Sequence, residues 1–174
     1  MLKRCVMIFP EFENIQVIDK IRDKYDPLVN NVRPHITLVF PFESNIETEA
    51  LKTHISTAVS EFSRFNIVLS QFTPDDTFGR YLFLNVHEGI EVIKKLHKKI
   101  YTGILKEYYP DWLSEDVYLP HITVGKFGSD EELAKAAADV KNIDDEFKTI
   151  VNKISVEIID ENEDSIIEVE VPLK

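Results

Sequence analysis

The chain has 174 residues, 44% hydrophobic and 29% charged, enough for one domain with a sizeable core and too balanced for a disordered or fibrous protein. Its net charge of −11 argues against a broad surface tracking long nucleic acid, which would be basic. No apolar run approaches the roughly 20 residues that span a bilayer, and a single cysteine excludes an internal disulfide.

The acidity is uneven: residues 129–174 carry 14 acids against 5 bases, so the first 128 hold only about −2 of the total. A local pocket for a small anionic ligand is compatible with that balance. The opening MLKRCVMIFPEFEN turns acidic after a short apolar stretch. It reads as a first strand, not a signal peptide, so a cytoplasmic protein is expected. Cys5 sits in that strand as a small core residue.

In chain order, residues 3–9 read as a buried strand. Residues 12–25 place Ile15, Val17, Ile18, Ile21 and Tyr25 near helical spacing. Residues 33–40 form a strand that Pro41 should end. Residues 46–62 are helical, 65–72 a strand, 71–80 a turn region rich in Thr, Pro, Asp and Gly, and 81–87 a strand. Residues 91–105 are helical and lead into an aromatic-rich loop over 108–118. Residues 119–127 form a strand. Residues 130–140 form a helix capped by Ser129, with Glu132 three positions on. Residues 150–159 and 166–171 alternate as strands of a hairpin closed by the acidic turn DENED, 160–164.

Two stretches are almost the same. Pro34-His35-Ile36-Thr37-Leu38 returns as Pro120-His121-Ile122-Thr123-Val124, and the elements around each copy run in the same order: strand, helix, PHIT strand, helix, strand. A duplicated plan of this kind packs about a pseudo-two-fold axis. The expectation is an α+β (α/β) domain spanning 1–174, bilobal, with pseudo-repeats over about 1–80 and 81–174, one sheet per lobe flanked by helices, and the two pentads facing each other across a central groove.

Side chains in a strand alternate faces, so His35 and Thr37 share one face while Ile36 and Leu38 share the other; His121 and Thr123 do the same. Each strand thereby offers a titrating imidazole beside a hydroxyl donor. One neutral histidine can accept a proton while the other donates one, both near their reference pKa of about 6.5. The two hydroxyls can hold the non-bridging oxygens of a phosphate. The pairing predicts acid–base phosphodiester chemistry without a metal; two histidines without HExxH or CxxC do not suit a usual zinc site.

These paired His-x-Thr-x motifs, with the order of elements, resemble the 2H phosphoesterase superfamily, which includes bacterial and archaeal 2′-5′ RNA ligases and cyclic phosphodiesterases. The stretch from KIYTGIL, 99–105, through PHITVGKF is similar to a bacterial phosphoesterase branch of it. The resemblance covers residues 2–171. It implies a bilobal fold with a central groove, His35 and His121 as the catalytic pair, Thr37 and Thr123 as phosphate ligands, no cofactor, and as partner a small nucleotide or RNA-end phosphodiester of the 2′,3′-cyclic or 2′-5′ type. No partner motif is present, and a monomer is compatible with the pattern.

Other candidates read two ways. Arg33 shares the parity of His35 and either meets a phosphate bidentately or lies on the surface; its counterpart in the second copy is Leu119. Lys126 has the wrong parity for the groove and is expected in solvent unless it curls round the strand end. Gly125 shares the groove parity, leaving room for a ligand or bending the strand. Tyr108, Tyr109, Trp112 and Tyr118 could stack a base, though loop aromatics more often pin a loop to the body. TPDDTFG reads as a hairpin tip more readily than as an overhang of the groove. His54, His87 and His97 read as structural or solvated. Hydrolysis of a small cyclic or 2′-5′ phosphodiester leads; an end-joining ligase with the same residues, or a nucleotide-binding module with little catalysis, are the alternatives.

Overall fold

A computed structural model describes residues 1–113 and 117–174. Eight strands and four α-helices follow in the order β1 Leu2–Ile8, α1 Ile15–Tyr25, β2 Ile36–Ser44, α2 Thr48–Val59, β3 Phe65–Asp75, β4 Tyr81–Glu88, α3 Ile90–Ile100, β5 His121–Lys126, α4 Asp130–Val140, β6 Phe147–Val151, β7 Lys153–Ile159 and β8 Ser165–Pro172. A 3₁₀ segment, Gly103–Tyr108, follows α3. The strands form two four-stranded sheets, β2-β1-β7-β8 and β5-β4-β3-β6, antiparallel throughout. The α+β architecture of two sheets flanked by helices is the one expected.

The sheets do not divide the chain at its middle. β3 leaves the sheet of β1 and β2 to pair with β4, and β7 returns to pair with β1. The helices cross over as well: α1 packs against β5 and α3 against β2. Each PHIT strand is therefore an edge strand of its own sheet, backed by the helix that precedes the other PHIT strand, and β2 and β5 lie beside one another. The main apolar core includes Ile36, Leu38, Ile122 and Val124, each fully buried, and a smaller cluster gathers Cys5, Met7 and Phe9.

Several boundaries differ from the sequence reading, for identifiable reasons. Pro41 does not end β2, which runs to Ser44. β2 is an edge strand, where a missing N–H is tolerated, and Pro41 falls inside a ladder irregularity between Arg4↔Phe42 and Val6↔Val39. Residues 150–159 are not one strand. The chain switches sheets at Asn152, so β6 pairs with β3 and β7 with β1. The third helix stops at Ile100, and Gly103 at φ +52° turns the chain into the 3₁₀ segment, a backbone conformation that favours glycine. Ser129 does cap α4, its hydroxyl accepting from the Glu132 N–H at 3.2 Å.

Two buried arginines are paired with carboxylates. Arg4 donates twice to Glu168, at 2.7 Å each. Arg22 donates to Asp26 at 2.7 Å and to the Val32 carbonyl at 2.8 Å, and Asp26 also accepts from the Leu28 N–H. This second cluster pins the loop between α1 and β2, the segment that delivers Arg33 and His35 to the strand.

Candidate active site

In each PHIT strand the histidine and threonine are partly exposed while the isoleucine and following aliphatic are buried, as alternation requires. Both strands then break their register at the same place. Opposite β1, Met7 pairs with Thr37 and Val6 with Val39, skipping Leu38. Opposite β4, Phe83 pairs with Thr123 and Leu82 with Gly125, skipping Val124. The fifth residue of each pentad is thus a β-bulge, and two successive buried residues follow the threonine in both copies.

The bulge overturns the parity argument beyond the pentads. Gly125 does not open the groove: it is buried, and a Cβ there would come within 2.8 Å of the Phe127 ring and 3.0 Å of Tyr25 Cβ. It lets α1 pack closely. Lys126, expected to point away, is returned to the face of His121 and Thr123. It lies opposite Tyr81, directly opposed residues share a face, and Tyr81 lines the groove. Its counterpart in β2, Phe40, lines the cavity, whereas Lys126 is exposed and outside the lining.

The imidazoles are held alike. His35 Nδ1 is 2.8 Å from the Arg33 carbonyl and His121 Nδ1 is 2.7 Å from the Leu119 carbonyl. A carbonyl only accepts, so each Nδ1 carries its proton and each neutral ring keeps its lone pair on Nε2. The same tautomer is fixed twice by a backbone oxygen two residues upstream. The ring environments differ. His121 stacks on Phe83, centroids 3.6 Å apart at 24°. His35 meets Phe9 edge-on at 6.0 Å, and the Arg33 guanidinium lies over the same Phe9 ring at 4.6 Å. Arg33 is exposed and next to the His35 environment.

Burial is the main force on both titrations. It pulls His121 down from 6.5 to about 4, helped by the like charge of His35 and opposed by the Leu119 carbonyl and Asp75. It lowers His35 too, with Arg22 adding to the effect and the Arg33 carbonyl and Asp26 resisting it. The His35 charge adds to the lowering at His121. An anionic ligand between them would favour the imidazolium and draw a proton back into the site.

A cavity of about 600 Å³ opens between the two PHIT strands, lined by Thr37 and Phe40 from one and His121 and Thr123 from the other, with Asp75, Phe78 and Trp112 among its further walls. The hairpin tip, read from sequence as a simple turn, overhangs it: Asp75, Thr77 and Phe78 are all in the lining. Trp112 also faces it. Of the other loop aromatics, Tyr108 packs on Phe42 and Tyr109 on Tyr101; residues 114–116 of this loop lie outside the described residues. Tyr118 lines the cavity but is 5% exposed, its ring stacked on His97 at 3.7 Å and its hydroxyl donating to the Thr37 carbonyl at 2.8 Å.

Tyr118 is part of a device that the sequence did not reveal. As an edge strand, β2 has backbone groups with no neighbouring strand. Tyr118 donates to the Thr37 carbonyl, His97 Nδ1 donates to the Leu38 carbonyl at 2.7 Å, and the Tyr101 hydroxyl accepts from the Phe40 N–H at 2.9 Å. Three aromatic side chains from α3 and the loop after it replace the missing strand across the bulge. His97 is structural, as read, but its structural task is to hold β2 beside the bulge. His54 is also structural, bonded to the Ile100 carbonyl at 2.9 Å, while His87 is exposed.

The 2′-5′ RNA ligase superfamily model matches residues 9–163. The chain belongs to that superfamily. A curated Bacillus licheniformis protein named "putative phosphoesterase" is 24% identical over 153 residues, 87% of each chain. Among solved structures, Escherichia coli LigT complexed with 3′-AMP superposes with a TM-score of 0.70 at 15% identity, covering 99% of this chain and 98% of that one. A Thermus thermophilus protein follows at 0.64 and 13%, covering 98% and 97%. These structural likenesses carry the fold.

Proposed function

We propose that the protein is a phosphoesterase that hydrolyses a small 2′,3′-cyclic or 2′-5′ phosphodiester by paired-histidine acid–base catalysis, with no metal or cofactor in the step. The observation that carries this reading is the repeated setting of the two imidazoles: same tautomer, same bulged strand, same adjoining threonine, on two edges that meet at one cavity. A neutral Nε2 takes a proton from water as its oxygen attacks phosphorus. The other ring, charged by the arriving phosphate, gives its proton to the ribose oxygen as the P–O bond breaks. Thr37 and Thr123 donate to the non-bridging oxygens, and a nucleoside monophosphate leaves with one new hydroxyl.

The cavity volume suits a nucleotide; among the described residues its lining holds no lysine or arginine, with Lys126 exposed at the end of β5 and Arg33 exposed beside His35. That is little positive charge for an RNA track, which favours hydrolysis of a small substrate over end-joining with the same residues. The LigT structure with 3′-AMP is consistent with a small nucleotide in this kind of groove. The test is the pH dependence of kcat/KM for a 2′,3′-cyclic nucleotide with EDTA present. One acid and one base predict a bell. A flat profile from pH 5 to 9, or loss of turnover to EDTA, would refute the mechanism.

A further inference from the structure

The cavity, which His121 lines and His35 does not, runs well beyond the His121 row. Its β5-side floor is a grid in which Asn85 lies opposite His121, Phe83 opposite Thr123, and Tyr81 opposite both Lys126 and Asp75. A strand rises about 3.3 Å per residue, so Tyr81 and Asp75 lie about 13 Å along the sheet from the His121 row. That is close to the reach from a ribose phosphate to the far edge of its base.

Two features share the cavity lining with Tyr81. Phe78 and Trp112 are large aromatics left 51% and 50% exposed, their ring centroids 5.1 Å apart, with Phe40 touching Trp112 from the other side at 5.0 Å. The Phe78 and Trp112 rings are inclined at 52° to each other, so each offers its own uncovered face for stacking. Asp75 puts a carboxylate into the same wall. Thr77 orients it, donating its N–H to one oxygen and its hydroxyl to the other, each at 3.2 Å, which leaves each oxygen further acceptor capacity. A carboxylate repels phosphate; Asp75 acts on His121 only as the weakest of the influences on that ring, and at its own end of the cavity it offers two acceptor oxygens to hydrogen-bond donors.

We infer that this end of the cavity selects guanine, with Asp75 accepting from N1–H and the exocyclic N2–H while the base stacks on the exposed face of Phe78 or Trp112. Guanine is the standard base with two adjacent donors on that edge. Adenine and cytosine set a ring acceptor beside their amino group, and uracil flanks its one N–H with carbonyls, so each would turn a lone pair toward the carboxylate. Two parallel charge-assisted bonds are the strong case. The inference rests on the phosphoesterase reading only for where the phosphate sits.

The experiment measures kcat/KM for the four nucleoside 2′,3′-cyclic monophosphates with wild type and Asp75→Asn. Paired contacts to one base are worth about 1–3 kcal/mol, so the guanosine-to-adenosine ratio should be at least about tenfold in wild type. In Asp75→Asn that ratio should collapse toward unity, because the amide sets a donor against one of guanine's own. A wild-type ratio near one, or a ratio unchanged by the substitution, overturns the inference. If wild type turns over none of the four, the hydrolase reading has failed, and base choice is then read from quenching of the sole tryptophan by the four 3′-monophosphates. Tighter binding of 3′-GMP that Asp75→Asn abolishes would support guanine selection, and equal binding of all four would refute it.

Discussion

Tyr118→Phe removes a single oxygen from the support of β2. The ring stays: its stack on His97, 3.7 Å between centroids at 8°, does not involve the hydroxyl, so no cavity is created. What is lost is the 2.8 Å bond to the Thr37 carbonyl, an acceptor on an edge strand beside a bulge, with no neighbouring strand to replace the donor. A neutral hydrogen bond contributes about 1 kcal/mol net, and stranding its buried partner costs about 1–3 kcal/mol, so the variant should lose roughly 2 kcal/mol of stability. For a chain of this size that is a fall of about 4–8 °C in Tm. Because Thr37 carries the proposed phosphate donor, kcat should fall together with stability, whereas a purely remote packing defect would leave kcat intact at a temperature where both proteins are folded. Thermal and urea denaturation at pH 7.5, with kcat at 20 °C, make the comparison. A Tm within about 1 °C of wild type, or reduced stability with unchanged kcat, would refute the account of the edge support.

Three further outcomes follow from the same geometry. Burial lowers the folded-state pKa of both catalytic-face histidines, His121 to about 4. Stability should therefore be complete above the unfolded value near pH 6.5 and fall as pH drops toward 4, by up to about 3 kcal/mol for His121. Urea midpoints across that range should show the loss, and His121→Gln should flatten it. Gly125→Ala should cost about 1–3 kcal/mol, since the added methyl meets Phe127 and Tyr25 in a packed interior; chemical denaturation measures it. Thr37→Val and Thr123→Val should each lower kcat about 10²-fold, as loss of an aimed donor does, with KM changing less.

The twin histidines and threonines were legible because they obey period-two alternation in two matching frames, and burial of Ile36 and Ile122 against partly exposed neighbours follows that alternation. Two sheets flanked by helices were legible from the order of strands and helices, but which strands share a sheet was not: β3 joins β4, and β7 returns to β1. The bulges were not, although a signal existed: Leu38-Val39-Phe40 is an apolar run where alternation should continue, and two buried residues in succession there mark the bulge. Missing it put Gly125 and Lys126 on the wrong faces. The break at Asn152 was hidden because residues on both sides are apolar enough to read as one strand, although they belong to different sheets. The supports from Tyr101, Tyr118 and His97 depend on α3 packing behind β2, a crossing between halves that no local pattern encodes. The same holds for the hairpin tip, whose Asp75 and Phe78 become cavity walls only once β3 joins β4 beside β5.

The central claim is that both PHIT strands build one acid–base site. The most direct measurement is hydrolysis of the four nucleoside 2′,3′-cyclic monophosphates, with EDTA present, by wild type, His35→Ala and His121→Ala. Turnover by wild type that falls by at least about 10²-fold in each variant, with both variants folded by circular dichroism, is the predicted result. Turnover that survives removal of either histidine, or that requires the metal EDTA removes, would contradict it.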